Sequence, residues 1–427
     1  ESPEKSKKEI LVSYGHNPPP SSSDIHIYES GVLWNFYLDR KSLPPLPLKK
    51  QGDLPVLYGE MSGSQKWVEV GRSIVSGIDI ISGIFFLLSR YEELVIPNRD
   101  EFGRFPASAS ILSTSGLMER PLADEYTDLF GKWMTMVRSD FRARSPMGRS
   151  PFCLYLTHDV DVLKKFNWKR VLTFREDFSR GIRILLGKET DPFWTFPEIQ
   201  EMNDLLGIRS DYFFMAGGRH RLDNAYSLEN SHVRALIGEL KQAGCGVGIH
   251  FSLSSNQNPE KQFARELAHF IHITRDHPAG CRQHYLAVNV PETWRKISSL
   301  GISFDASMGF SEIPGFRCGT CRPFPLFDAE RGKVLETWEI PLIAMDATFI
   351  HYLKYSPEQA REKLNGLLKK VRKHRGVFCL LWHNNSFCGE DFPGWSEMLM
   401  EFLKSAVENK PFTENPLEYY RESWAEL

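Results

Sequence analysis

The sequence predicts an α/β protein in which a smaller α/β domain, residues 1–148, precedes a β/α domain with a parallel sheet, residues 149–427. Three observations predict it. Beyond Pro151, short apolar runs alternate with longer segments of helical period, as βα units do. Polar residues with chemical potential fall at the carboxyl ends of those runs, where α/β folds carry their ligands. Between the halves lie Arg142, Ala143, Arg144, Ser145, Pro146, Met147, Gly148, Arg149, Ser150 and Pro151, whose charge, Pro and Gly suit an exposed linker.

In the N-terminal part, Pro18, Pro19, Pro20, Ser21, Ser22, Ser23, Pro44, Pro45 and Pro47 give a density of turn formers suited to loops and short strands. A strand is expected over Leu54–Tyr58. Ile81, Ile84, Phe85 and Leu88 recur at helical spacing within Ile78–Val95, and a second helix is expected over Glu125–Val137. In the second part, strands are expected at Phe152–Leu156, Ser210–Met215, Gly246–Ile249, Gly280–His284, Ile302–Phe304, Val334–Ile340 and Val377–Trp382. Helix signals stand between them: Ser231 with Gly244 closing, Asn258 before Pro259, Pro291 before Trp294, and Ser356 before Pro357 with Gly376 closing. Seven alternations fit a closed or nearly closed α/β barrel at least as well as an open doubly wound sheet.

Composition narrows the function classes. The 52 basic and 54 acidic residues leave a formal charge of -2, so no global field attracts nucleic acid or an anionic membrane. The longest apolar stretch, Ile80–Leu88, is about half of what a bilayer span needs, which predicts no transmembrane segment. Glu1–Ile10 is charged and lacks the apolar run of a secretory signal. Seven cysteines, an odd number spread along the chain, favour reduced thiols and a cytoplasmic setting over a disulfide framework.

The reactive residues gather at strand ends. Asp159 and Asp161 are two apart, so in extended chain both carboxylates face one spot, one suited to bind a cation and the other to accept a proton; a turn is the plainer alternative. His250 follows a glycine-spaced strand; if it is paired in space with Asp161, the two suit a divalent metal, and a histidine that is neither ligand nor catalyst is the plainer alternative. His383 stands where an apolar strand meets the rim and suits a general acid. Arg282 offers a fixed fork to a carboxylate of substrate, Asp159 or Asp305. Cys318 and Cys321 have redox or zinc spacing, but Pro323 and Pro325 follow, so a rigid rim loop carrying Arg317 and Arg322 is the better reading.

Residues from about Phe152 to Trp395 resemble the polysaccharide deacetylase, or NodB-homology, superfamily. Thr157–Asp161 loosely matches its Thr-Phe-Asp-Asp-Gly motif, and Asp211, Tyr212, Phe213 and Phe214 resemble its second-strand signature. The His-x-x-x-His motif falls at His250, the Arg motif at Arg282–Tyr285, the supporting Asp at Asp305 and the Leu-x-x-His motif at His383. Phe86–Glu93 and Gly103–Pro106 resemble the accessory domain preceding such barrels in a bacterial subgroup. The resemblance implies a distorted (β/α)7 barrel and a metal-dependent hydrolase removing acetyl from an N-acetylated sugar, with zinc as the cofactor expected first. It implies Asp159 as base, His383 as acid, and Arg282 with Asp305 as supports of Asp159.

Two positions depart from the pattern. Val160 stands where the family has its second Asp, which passes the metal role to Asp161. Ser254 stands where the family has its second metal His and cannot ligate comparably, which leaves a weaker site of Asp161, His250 and waters, or Ser254 and Asn258 acting through water, or His158 in place of the lost ligand. Substrate-binding candidates are Phe214, His284, Tyr285, Arg317, Arg322 and Trp382, with Phe214, Tyr285, Phe324 and Trp382 suited either to stacking on sugar rings or to core packing. Rival readings are a non-catalytic carbohydrate-binding barrel, another amidase or esterase, and a thiol oxidoreductase.

Overall fold

The computed structural model describes residues 9–59, 68–70, 73–142, 146, 148–166, 178–218, 220–223, 226–278 and 280–425. The chain divides into two compact units, one of Glu1–Asn98, Ser108–Ser145 and Cys318–Thr320, the other of Arg99–Ala107, Pro146–Arg317 and Cys321–Leu427. A single cut at 148/149 misses two exchanges, because neither short segment carries a change of composition that marks it. Part of the expected linker, residues 143–145 and 147, lies outside the described residues, as do residues 1–8 of the charged N-terminus. No helix among the described residues is long and apolar enough to cross a membrane.

The first unit contains β1 (Val12–Gly15), β2 (Ile25–Tyr28), β3 (Lys49–Gln51), β4 (Leu54–Val56), β5 (Val68–Val70) and β6 (Ser73–Ser76). Strands β1, β2, β6 and β5 form one mixed sheet in that order, and β3 pairs with β4 as a hairpin. The apolar run expected as one helix over Ile78–Val95 is two, Ile80–Leu88 and Tyr91–Val95, with Arg90 between them in the left-handed region at φ 51°. That turn lets the fully buried Arg90 guanidinium meet Glu92 at 2.7 Å and Glu93 at 2.8 Å. A buried guanidinium needs such partners, and helical period cannot report this need.

The second unit contains β7 (Cys153–Val160), β8 (Asp211–Met215), β9 (Gly246–Phe251), β10 (Gly280–Gln283), β11 (Phe304–Asp305), β12 (Phe324–Asp328), β13 (Lys333–Glu339), β14 (Leu342–Met345) and β15 (Val377–Leu381). Among the described residues they form one nine-stranded sheet in the order β12-β13-β11-β10-β9-β8-β7-β15-β14, parallel throughout except for β12 against β13. Each expected strand of this part has a counterpart, and β12 and β14 are additional. Strand β12 carries Pro325 and lies at an edge, where a missing donor is tolerated. Strand β14 begins after Pro341, just past the strand expected at Val334–Ile340. Among the described residues no ladder joins β12 to β14, so the observed sheet is a curled, open one and not a closed set of seven.

All eight residues of β7 and all five of β15 are buried, as expected of central parallel strands covered on both faces. The pleat sorts their side chains. Tyr155, Cys379 and Leu381 join Phe213, Phe304 and Ile340 on the inner face. Leu154, Leu156, Phe378, Leu380 and Trp382 pack outward with the helices Pro357–Lys373 and Trp395–Val407. Ser356 and Gln359 form a reciprocal cap at the start of the first of these helices. This parity decides which rim residues can meet.

Candidate metal centre

Asp159 and Asp161 continue the inner face of β7, and His250 reaches them from the end of β9. The His250 Nε2 atom is 3.2 Å from Asp161 Oδ1 and 3.8 Å from Asp159 Oδ2. His250 Nδ1 lies 3.0 Å from the Arg282 carbonyl; a carbonyl only accepts, so Nδ1 carries the proton and Nε2 faces the carboxylates. His284 follows the same plan, with Nδ1 at 3.4 Å from Asp223 and Nε2 at 3.7 Å from Asp161. His383 repeats it a third time, with Nδ1 at 2.7 Å from Asp346 and Nε2 at 3.5 Å from Asp161. Three imidazoles thus hold one nitrogen on a fixed acceptor and aim the other at a single carboxylate.

Ligand atoms of Asp161, His250 and His284 all lie within 4.8 Å of one another. Asp161 Oδ1 is buried and has no hydrogen-bond partner: His250 Nε2 stands 3.2 Å away, and with the proton on Nδ1 it has none to donate. An orphaned carboxylate oxygen beside two imidazole nitrogens is a donor set that fits a divalent cation such as Zn2+. Burial disfavours the Asp161 carboxylate, but His284, His250 and His383 outweigh it and hold its carboxyl well below the usual range. Burial likewise disfavours charge on His383; the Asp346 carboxylate overcomes this, with help from Asp161 and Asp159, and raises His383 to about 10.

Arg282 is fully buried beneath Asp159. Its Nη1 donates to Asp159 Oδ1 at 3.1 Å and to Thr157 Oγ1 at 2.8 Å, and its Nε donates to the Ala306 carbonyl at 2.8 Å. The guanidinium also stands 4.9 Å from the centre of the Phe213 ring. Gly248 makes room for that ring, since a Cβ there would come within 2.5 Å of Phe213 Cδ1. Asp159, Asp161, His250, His284 and His383 open into a cavity of about 340 Å³ whose other walls include Arg104, Tyr285, His351 and Tyr352. A π-helical turn, Thr348–Leu353, brings His351 and Tyr352 there.

Several expected positions lie elsewhere. Ser254 is outside the ligand group: its Oγ donates to Asp223 Oδ2 at 2.5 Å and accepts from the His220 N–H at 2.8 Å, so it braces the carboxylate that holds His284. His158 points to the outer face, bonded through Nδ1 to the Trp382 carbonyl at 2.7 Å and stacked on Tyr212, and burial lowers it to about 4. Asp305 does not bond Arg282; its Oδ1 accepts from Ser307 Oγ at 2.6 Å and Cys281 Sγ at 3.4 Å, and burial raises its carboxyl. Phe214 and Trp382 are fully buried at outward positions of their strands, and Trp382 packs with Trp395, so neither faces the cavity. Arg317 donates to the Gly309 carbonyl and Arg322 to the His374 carbonyl, and neither lines the cavity. Phe324 is buried. Tyr285 does line it, whereas His284, expected to touch substrate, joins the ligand group.

Asp223 and Asp346 escape the sequence reading. Asp346 follows the apolar run of β14 and obeys the same strand-end rule as the others; Asp223 lies in a loop with no motif to mark it.

A family model described as a family of unknown function, DUF7033, matches residues 2–139. Comparison with curated proteins returns no match. Among solved structures, the chain is similar to one described as a polysaccharide deacetylase from Mycobacterium smegmatis, at 16% identity and a TM-score of 0.46, over 67% of this chain and 96% of that one. It is similar to an allantoinase at 12% identity and a TM-score of 0.46, over 66% and 94% of the two chains. It is also similar to a CE4-family pseudoenzyme from Bacillus anthracis, at 10% identity and a TM-score of 0.31, over 60% and 62%.

Proposed function

We propose that the protein is a metal-dependent hydrolase that removes the acetyl group from an N-acetylated sugar or polysaccharide. One observation carries the reading: Asp161, His250 and His284 converge on a point flanked by Asp159 and His383, in a cavity large enough for part of a sugar chain. When bound, a divalent cation, zinc first, supplies Lewis acidity that acidifies water and polarises an acyl oxygen. Asp159 is the proton acceptor, oriented by Arg282. His383 is the proton donor to the departing amine, and Asp346 keeps its imidazole charged and fixed. Tyr285 offers a ring to the sugar at the cavity wall. The choice of an acetylated sugar rests on the order of the motifs from Thr157 to His383 along the chain.

Metal content by plasma mass spectrometry on untagged protein tests the site, comparing wild type with Asp161→Asn, His250→Ala and His284→Ala. Near-stoichiometric metal that falls in all three variants is expected. Acetate release from N-acetylglucosamine oligomers should then be lost in Asp159→Asn. A wild type that takes up no divalent metal on reconstitution, or acetate release indifferent to Asp159, would refute the proposal.

A further inference from the structure

The segment Arg99–Ala107 ends well before Cys153, where the second unit's first strand begins, yet it packs as part of that unit. It forms a tight loop. Asp100 Oδ1 accepts from the N–H groups of Phe102 and Arg104, each at 2.9 Å, and Asp100 Oδ2 accepts from Arg104 Nε at 2.7 Å. The Arg104 guanidinium lies over the Phe102 ring at 4.7 Å, so the two side chains are presented as one rigid plate.

That plate meets the chain just after His284. Phe102 stacks on Tyr285, ring centres 4.8 Å apart and 16° from parallel. Arg104 Nη1 donates to the Tyr285 carbonyl at 3.0 Å and also to Ser311 Oγ. Tyr285 and Leu286 are both in the left-handed region, at φ 60° and 54°. Two such residues in succession, neither of them glycine, persist only where the surroundings over-determine them. The corner they form turns the chain away from the end of β10 and leaves the His284 ring 4.5 Å from the Tyr285 ring and facing Asp161.

We infer that Phe102 and Arg104 are positioning residues for His284: the loop holds the left-handed corner at Tyr285, and the corner holds the imidazole in the ligand group. This rests on the reading of Asp161, His250 and His284 as a cation site. The loop's contribution is distinct from that of Asp223, which fixes the rotation of the ring and not the backbone that carries it.

The probe is Co2+ added to the full-length metal-free chain, read by its visible absorption bands and by competition with a chromophoric chelator. His284→Ala should weaken Co2+ binding and alter the bands. Phe102→Leu and Arg104→Met should each weaken it by about 10-fold or more, as loss of outer supports of metal ligands does, with a band change of the same kind. Arg104→Lys, which keeps a donor, should recover part of the loss. Combining Phe102→Leu with His284→Ala should weaken binding no further than His284→Ala alone. Arg295→Met, which breaks the Asp328 ion pair elsewhere in the unit, controls for general destabilisation and should leave the bands unchanged. If His284→Ala weakens Co2+ binding while Phe102→Leu and Arg104→Met match wild type, or if their losses add to that of His284→Ala, the loop inference is overturned alone. A wild type that takes up no Co2+, or a His284→Ala that binds as wild type does, overturns the cation-site reading and the loop inference with it.

Discussion

Replacing Arg282 by methionine removes the one cation that, among the described residues, is in hydrogen-bond contact with the Asp159 carboxylate, while roughly keeping the volume of the side chain. Both residues are buried, at 0% and 2% exposure, and their charged atoms are 3.1 Å apart. At an effective dielectric near 20, Coulomb's law gives about 5 kcal/mol of attraction at that distance. The relief of no longer burying a guanidinium offsets part of this, and removing one partner of a buried pair costs about 3–5 kcal/mol in general. The Thr157 hydroxyl and the Ala306 carbonyl lose donors as well. The expected loss is therefore about 3–5 kcal/mol at pH 7, measured by urea unfolding of the metal-free protein followed through tryptophan fluorescence. Adding Asp159→Asn removes the stranded charge, so the double variant should be more stable than Arg282→Met alone by more than about 1 kcal/mol. A loss under about 1 kcal/mol, or strictly additive costs in the double variant, would show that the pair does not hold this part of the inner face together.

Two further outcomes follow from buried titrating groups. Asp346→Asn should bring the His383 imidazole down from about 10, by removing the largest influence opposing burial; histidine NMR titration of the metal-free protein reads it, and an unchanged value would mean Asp161 and Asp159 suffice. Because the folded value is raised, the stability it contributes is complete below the ordinary histidine value near 6.5 and is lost as pH rises toward about 10, so wild type should lose its advantage over the variant across that window. Glu339 is raised well above the carboxylate range by burial and by Asp305. Its neutral form is stabilising below the unfolded value near 4.5, and that stability is lost as pH rises. Glu339→Gln should therefore raise the melting temperature at pH 7 and leave it unchanged at pH 4. A lower melting temperature at pH 7 would refute the reading of Glu339 as a carboxyl raised by burial.

The site was legible where it depends on strand ends and pleat. Asp159 and Asp161 share a face because they are two apart, and His250, Arg282 and His383 end strands of one sheet. The same parity, applied further, turns His158, Phe214 and Trp382 outward. What the sequence could not convey were features set by backbone corners and loops. His284 ends a strand, but its reach toward Asp161 depends on the left-handed turn that follows. Ser254 occupies the place of an expected ligand, yet at the start of the short helix Leu253–Gln257 its hydroxyl turns to Asp223. Asp346 is hidden because Pro341 breaks the apolar run before it and conceals the strand it terminates.

The exchange of short segments between the two units bears on how the gene could be cut. A piece beginning at residue 149 would carry the whole nine-stranded sheet but not Phe102 or Arg104. A piece ending at 148 would lose Gly319 and Thr320, whose carbonyl and hydroxyl bond Ala123 and Asp124 in the first unit. No one cut yields both units whole, so neither is a cassette that recombination could move intact to another chain. A working smaller protein would have to begin no later than residue 99, and a transplant of the sheet would need the Arg99–Ala107 loop supplied along with it.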